Sequence, residues 1–95
     1  MLTGKQRAML RREANGIPAL YQIGKDGVTE NIIKQFDDAL EANELIKVHI
    51  LENSLLDVRP TADEVAKKLG ADTGQCIGSK FDLYRKSNDN QKYFI

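Results

Sequence analysis

The spacing of apolar residues changes near Asn43, and this change limits the possible folds more than any other feature of the sequence. From Ile32 to Leu40, apolar residues recur three or four positions apart, which is typical of a helix that packs on a core. From Leu45 to Leu51, apolar and polar residues alternate, which is typical of a strand with one buried face. A chain that passes from such a helix to such a strand is expected to form a layered α/β domain.

Capping and breaking residues divide the rest of the chain into further helices and strands. A capping box at Thr3–Gln6 predicts a first helix that runs to Ala14. Thr29 is the expected N-cap of the middle helix, and a second capping box at Thr61–Glu64 predicts a third helix that ends at Gly70. The remaining segments are predicted strands at 19–23, 73–77 and 81–85, a loop at 52–60 and a loose polar tail at 87–95, in which residues 93–95 could dock.

The predicted order of elements is α-β-α-β-α-β-β. Strands that are joined through helices should be parallel, with right-handed crossovers. The last two strands are close in sequence and should form an antiparallel hairpin. The predicted fold class is therefore α/β, with a four-stranded mixed sheet packed with helices.

The charged residues are unevenly distributed along a chain of zero net charge. Zero net charge argues against the strongly basic kind of nucleic-acid-binding domain. However, basic residues dominate positions 1–14, acidic residues dominate positions 37–57, and the segment from Lys80 onward is mildly basic. Such a distribution can focus an electrostatic field at one face. The absence of a long apolar run and of a signal peptide, together with the single cysteine, predicts a cytoplasmic protein without membrane association.

Gly24-Lys25-Asp26-Gly27 connects the first predicted strand to the middle helix. Two interpretations remain open for this segment: a plain turn, or a phosphate-binding loop in which glycines allow close approach and the helix offers free N–H groups. Lys25 favours the second interpretation, and Asp26 opposes it because it places a carboxylate beside the expected anion. The spacing fits neither a Walker loop nor a dinucleotide-binding loop.

One side of the first helix carries Lys5, Arg7, Arg11 and Arg12. Exposed charges on a helix are ordinary, but four cations against the single Glu13 exceed what solubility requires. If this helix lies beside the glycine loop, the two would form one surface that follows a phosphate backbone. The sequence alone does not show whether they are adjacent.

The sequence offers little support for catalysis. A nucleophile needs a base within hydrogen-bond reach, and nothing pairs Cys76 with His49. The acidic residues of the middle helix lack the partners expected of a metal site. We therefore expect no enzymatic activity, no cofactor and no small-molecule substrate. A protein-interaction module, in which the acidic region from Asp37 to Glu44 docks a basic protein, is the alternative to nucleic-acid binding.

Four segments resemble the CRM domain, named for chloroplast RNA splicing and ribosome maturation, and its stand-alone bacterial YhbY-like members. They are L-T-G-K-Q-R-A-x-L-R at the start, Q-I-G-K-D-G-V-T-E-N-I-I-K-Q around the glycine loop, A-L-E-A-N-E-L-I-K-V, and I-G-x-x-F-D-L-Y-R near the end. The resemblance covers residues 2–86 as a single domain, with 87–95 as a C-terminal tail.

This resemblance implies a fold similar to the C-terminal domain of bacterial translation initiation factor three. It also implies non-catalytic RNA binding and association with ribosomal RNA or precursors of the large ribosomal subunit. Asp26 departs from the family pattern, in which a second small residue is usual. The implied RNA-binding residues, to which we add Arg7 from the helix, are Gly24, Lys25, Asp26, Gly27, Lys5, Arg11, Arg12, Lys34 and Arg85.

Overall fold

Three helices and four strands follow one another along residues 2–93, the part of the chain that this computed structural model describes. Their order is the predicted one, and the α/β fold class is confirmed. A short 3₁₀ helix at Glu52–Ser54 interrupts the segment predicted as a loop. The elements are α1 (Gly4–Asn15), β1 (Tyr21–Ile23), α2 (Glu30–Asn43), β2 (Leu45–Ile50), α3 (Val58–Leu69), β3 (Asp72–Ile77) and β4 (Lys80–Tyr84).

The four strands form one mixed sheet in the spatial order β1-β2-β4-β3. β1 and β2 are parallel, with Tyr21 opposite Val48. β3 and β4 form the predicted antiparallel hairpin, whose register is irregular between Thr73 and Cys76. β4 also pairs antiparallel with β2 and therefore lies between β2 and β3. The predicted mixed sheet is thus confirmed, with the last strand inserted next to the second.

Helices α2 and α3 cover one face of the sheet and enclose the main core. The apolar stripe of α2 supplies Phe36 and Leu40, both fully buried. The alternation in β2 directs Val48 into the same core, where it meets Phe81 of β4 and Val65 of α3. This side of the domain is a closed apolar layer between helices and sheet.

Helix α1 lies on the opposite face of the sheet, over a second and smaller core. Leu10 and Ala14 are its buried residues, and they pack with Leu45 and Tyr84. These two sheet residues are directly opposite each other in the β2–β4 register. Because side chains alternate between faces along a strand, they point away from the main core.

The predicted start of α3 at Thr61 is wrong. The helix begins at Val58, after Asp57, so Pro60 occupies its first turn. Proline is tolerated there because the first-turn N–H groups have no partner within the helix. Thr61 therefore cannot act as a cap; its own N–H donates to the Asp57 carbonyl, at 3.2 Å, and the residue is buried.

The prediction of a loose tail is wrong for residues 87–92. Glu44, at the end of α2, is fully buried, and its carboxylate accepts the backbone N–H groups of Ser87, Lys92 and Tyr93. The Tyr93 ring also meets the Tyr84 ring edge to face, with 6.5 Å between centroids. This segment therefore packs against α2 and the smaller core. The prediction that the last three residues dock can be assessed only for Tyr93, since residues 94–95 lie outside the described part.

Candidate nucleic-acid interface

The glycine loop is a closed turn. The Gly27 N–H donates to the Gly24 carbonyl, at 3.0 Å, and Gly27 has a φ of +72°. Residues other than glycine rarely adopt this backbone angle, so the turn favours glycine at position 27. A Cβ placed on Gly24 would lie 3.7 Å from a Leu51 methyl carbon, which is an ordinary contact. Space alone therefore does not explain the glycine at position 24.

The turn is supported from within and exposed on its outer side. The Leu51 N–H donates to the Ile23 carbonyl, at 2.9 Å, and joins the chain after β2 to the end of β1. Lys25 and Asp26 are exposed. The Thr29 hydroxyl accepts the Ile32 N–H, at 3.2 Å, which starts α2 as the sequence predicts. The turn is therefore accessible to an anion, although Asp26 opposes one electrostatically.

Helix α1 presents the basic side chains that the sequence singled out. Both hydrogen bonds of the Thr3–Gln6 capping box are present, at 2.8 and 3.1 Å. Arg7 reaches the Thr73 carbonyl of β3, at 3.2 Å. Within residues 2–93, no side-chain nitrogen of this group lies within 4.0 Å of a carboxylate oxygen. The exposed, unneutralised cations of α1 are Lys5, Arg7, Arg11 and Arg12.

Two predicted binding residues lie away from this helix. Lys34 is exposed on α2, across the sheet from α1. Arg85 forms ion pairs with Asp37, at 2.6 Å, and Glu41, at 3.9 Å, and its side chain is 20% exposed. It also donates to the Leu69 carbonyl, at 3.0 Å. Arg85 thus joins the end of β4 to α2 and α3, and its charge is already paired.

The structure adds two lysines that our grouping of the sequence missed. Lys47 of β2 and Lys80 of β4 lie on the same sheet face as α1, because their neighbours Val48 and Phe81 point into the main core. The alternation in β2 does indicate that Lys47 faces away from this core. The sequence does not show that α1 packs on this same face of the sheet, which brings the α1 cations and these lysines to one side of the domain.

His49 and Cys76 lie on opposite faces of the sheet. His49 shares the α1 side with Lys80, its partner in the β2–β4 register. Cys76 packs against the main core, where Arg59 donates to its sulfur at 3.4 Å. The two residues therefore do not form a nucleophile–base pair in this structure.

Neither a metal-binding cluster nor a membrane-spanning helix is found among the described residues. Residues 2–93 contain no cluster of three or more histidine, cysteine, aspartate or glutamate side chains suited to a metal ion. In the same range, every helix is too short or too polar to cross a membrane.

The chain is similar to several known proteins. The chain is 42% identical over 92 residues to the "Probable RNA-binding protein YqeI" of Bacillus subtilis, covering 97% of this chain and 96% of that protein. It is 34% identical to the "Probable RNA-binding protein MJ0652" of Methanocaldococcus jannaschii, covering 97% and 69% of the two chains. The solution structure of the hypothetical protein SAV1595 from Staphylococcus aureus matches with a TM-score of 0.80 and 46% identity, covering 96% of this chain and 95% of that one.

A sequence model of one family spans nearly the whole domain. It matches residues 2–85 and describes the CRS1 / YhbY (CRM) domain. The match includes α1, the glycine turn and all four strands. The resemblance drawn from the four sequence segments is therefore confirmed, and the chain belongs to the CRS1 / YhbY (CRM) domain family.

Proposed function

We propose that this protein binds RNA without catalysis, and that its target is ribosomal RNA or a precursor of the large ribosomal subunit during ribosome assembly. The observation that carries the proposal is the group of four exposed cations on α1, which have no carboxylate within ion-pair distance in residues 2–93. An RNA backbone is a polyanion that would neutralise them. The names of the relatives support RNA as the partner class.

The contacts would be made to phosphates rather than to bases. The RNA backbone would be followed by the α1 cations Lys5, Arg7, Arg11 and Arg12, while Lys25 and the turn at Gly24–Gly27 would hold a further phosphate. Such contacts position a protein on RNA but carry no sequence information directly. Because Lys34 and Arg85 lie on the other side of the sheet and Arg85 is paired, we leave both out of the proposed surface.

The proposal is tested with the double variant Arg11→Glu/Lys25→Glu. Filter binding to a large-subunit ribosomal RNA fragment, titrated at several salt concentrations, should show a strong loss of affinity. The dependence on salt should also become weaker, because fewer counterions are released. Lys67→Glu/Lys68→Glu on the outer side of α3 is the matched control and should bind as the wild type does. Equal affinity of the wild type and the Arg11/Lys25 variant would reject this surface.

The docking of a basic ribosomal protein remains the rival proposal. The pairing of Asp37 and Glu41 with Arg85 leaves less free negative charge on α2 for such a partner. Digesting the RNA in isolated pre-ribosomal particles separates the two ideas. Release of the protein supports RNA binding, whereas retention supports protein contacts.

The identity of the RNA is best found by crosslinking in cells and sequencing the attached RNA. We expect reads from large-subunit ribosomal RNA, and a cytoplasmic location for the protein. Reads spread over messenger or transfer RNA would contradict the role in ribosome assembly and leave RNA binding itself intact.

A further inference from the structure

Helix α1 leaves part of its sheet face uncovered. It packs over the region of Leu45 and Tyr84, at the start of β2 and the end of β4. Further along, the same face is polar and partly open. We call this region the open sheet face. It consists of three exposed residues, Gln22, Ile77 and Lys80, and two half-buried residues, Lys47 and His49.

The strand register aligns four of these residues into a row across the sheet. Gln22 pairs with His49, His49 with Lys80, and Lys80 with Ile77. Neighbouring strands are about 4.8 Å apart, so the row extends over roughly 14 Å. Lys47 lies on the same face, diagonally across the β2–β4 pair from Lys80, which places two cations within roughly 7–8 Å of each other.

The negative charge paired with Lys47 in the register is largely withdrawn from solvent. Asp82 is 6% exposed, and it lies opposite Lys47 in the β2–β4 register. Burial raises the pKa of Asp82, an effect that Lys47 and the Gln75 N–H only partly offset. The cations of the open sheet face therefore meet solvent without an exposed carboxylate in the row.

The open sheet face continues the basic face of α1. Asn15, the last residue of the helix, lines a cavity of about 120 Å³ together with Lys47, Lys80 and the largely buried Asp82. At the other end of the row, Gln22 lies two positions before Gly24, where the glycine turn begins. A row of polar and basic residues therefore runs from the C-terminal end of α1, across the strands, to the glycine turn.

We propose that the RNA backbone crosses this open sheet face, with Lys47 and Lys80 each contacting a phosphate. The inference rests on the proposed function and extends it from helix and turn to the sheet. The row contains no phenylalanine, tyrosine or tryptophan, and its one aromatic ring, the His49 imidazole, is half-buried, so it offers no extended platform for base stacking. Binding here is therefore electrostatic and tolerant of sequence, with Gln22 and His49 as additional hydrogen-bonding groups.

The double variant Lys47→Gln/Lys80→Gln tests the inference, with Lys67→Gln/Lys68→Gln on α3 as the matched control. The probes are a short oligouridylate and a large-subunit ribosomal RNA fragment. For the single strand, each lost phosphate contact should reduce the slope of log affinity against log salt by about 0.7. The affinity should fall by about ten-fold or more at moderate salt, and the control should match the wild type.

The single variant Lys80→Gln separates a loss of binding from a loss of folding, because Lys80 is exposed whereas Lys47 is half-buried opposite Asp82. It should show about half of the change in slope, with an unchanged thermal melt. If both lysine variants bind as the wild type does while Arg11→Glu/Lys25→Glu loses affinity, the sheet lies outside the interface and only this inference fails. If Arg11→Glu/Lys25→Glu also binds normally, the proposed function fails. Retention on nuclease-treated particles that is lost in Lys47→Gln/Lys80→Gln would assign the face to a protein partner and overturn the inference.

Discussion

The two faces of the sheet differ in how completely they are covered. On the side of α2 and α3, Val48, Phe81 and Leu83 have no exposed surface. On the side of α1, the helix covers one part of the sheet, and the rest displays Lys47, His49 and Lys80. A single strand, β2, contributes to both sides because its side chains alternate. One face can therefore supply most of the stability while the other remains free to bind a partner.

The largest expected effect is on the covered face. Phe36→Ala should lower the free energy of unfolding by about 3–5 kcal/mol, because it removes a fully buried ring and leaves a cavity. It also removes the edge-to-face contact with Tyr21, whose ring centroid is 5.9 Å away. Urea denaturation followed by circular dichroism measures the change. A loss below about 1 kcal/mol would show that the main core is not the principal source of stability.

The corresponding substitution under α1 sharpens the contrast. Leu10→Ala should lower the free energy of unfolding by about 2–3 kcal/mol, at the lower end for a buried leucine, because the smaller core can relax toward solvent. Native-state hydrogen exchange should show that the amides of α1 lose protection while those of α2 keep it. Equal loss in both helices would mean that the two sides of the sheet unfold as one unit.

The anchor of the C-terminal segment makes the α1 side sensitive to acid. Burial raises the pKa of Glu44, but the N–H groups of Ser87, Tyr93 and Lys92 and the charge of Lys86 outweigh it, so the pKa lies below its usual 4.5. The ionised carboxylate thus stabilises the folded state fully above about pH 4.5. This contribution is lost as the pH falls from 4.5 through the lower pKa of the folded state.

Glu44→Gln tests this anchor. The variant should be less stable at pH 7 by about 1–3 kcal/mol, because backbone donors lose a charged acceptor. The difference from the wild type should shrink in acid, as measured by denaturation at several pH values. Asp38→Asn, at an exposed position on the same helix, is the control and should change stability little. A wild-type–variant difference that stays constant with pH would exclude Glu44 as the acid-sensitive group.

The smallest expected effect concerns the glycine turn, which joins the sheet to α2. Gly27→Ala should destabilise the fold by about 1 kcal/mol, because alanine is strained at a φ of +72°. Gly24→Ala is the matched control, since its Cβ meets the Leu51 side chain only at ordinary contact distance. Thermal melts should separate the two variants. Equal melting temperatures would mean that the turn shifts to accommodate a side chain.

Local signals predicted the elements better than they predicted how the ends of the chain pack. The capping box at Thr3 and the N-cap at Thr29 are formed as expected, because each depends on residues within one turn. The box at Thr61 misled us because the apolar contacts of α3 extend the helix upstream past Pro60. The polar composition of residues 87–93 also misled us, because it did not reveal that Glu44 would accept three of their N–H groups.

In the candidate site, too, local features were predicted from the sequence and long-range contacts were not. The glycine turn and the α1 cations were visible as a motif and as a charge cluster. Arg85 was grouped with them on charge alone, but its pairing with Asp37 and Glu41 required residues 48 and 44 positions away to meet it. Lys47 and Lys80 were overlooked for the converse reason. Only the pairing of β2 with β4 brings them to one face.

The sequence by itself determined the alternation of helices and strands, the face of each element that is apolar, and the family. The first two follow from the spacing of neighbouring residues, which fixes which side chains share a face, and the family follows from the resemblance of the four sequence segments. The tertiary structure alone decided which cations stay free, which are paired, and that the open sheet face lies beside α1. Those outcomes depend on contacts between residues far apart in the chain, and the spacing of neighbouring residues does not encode them.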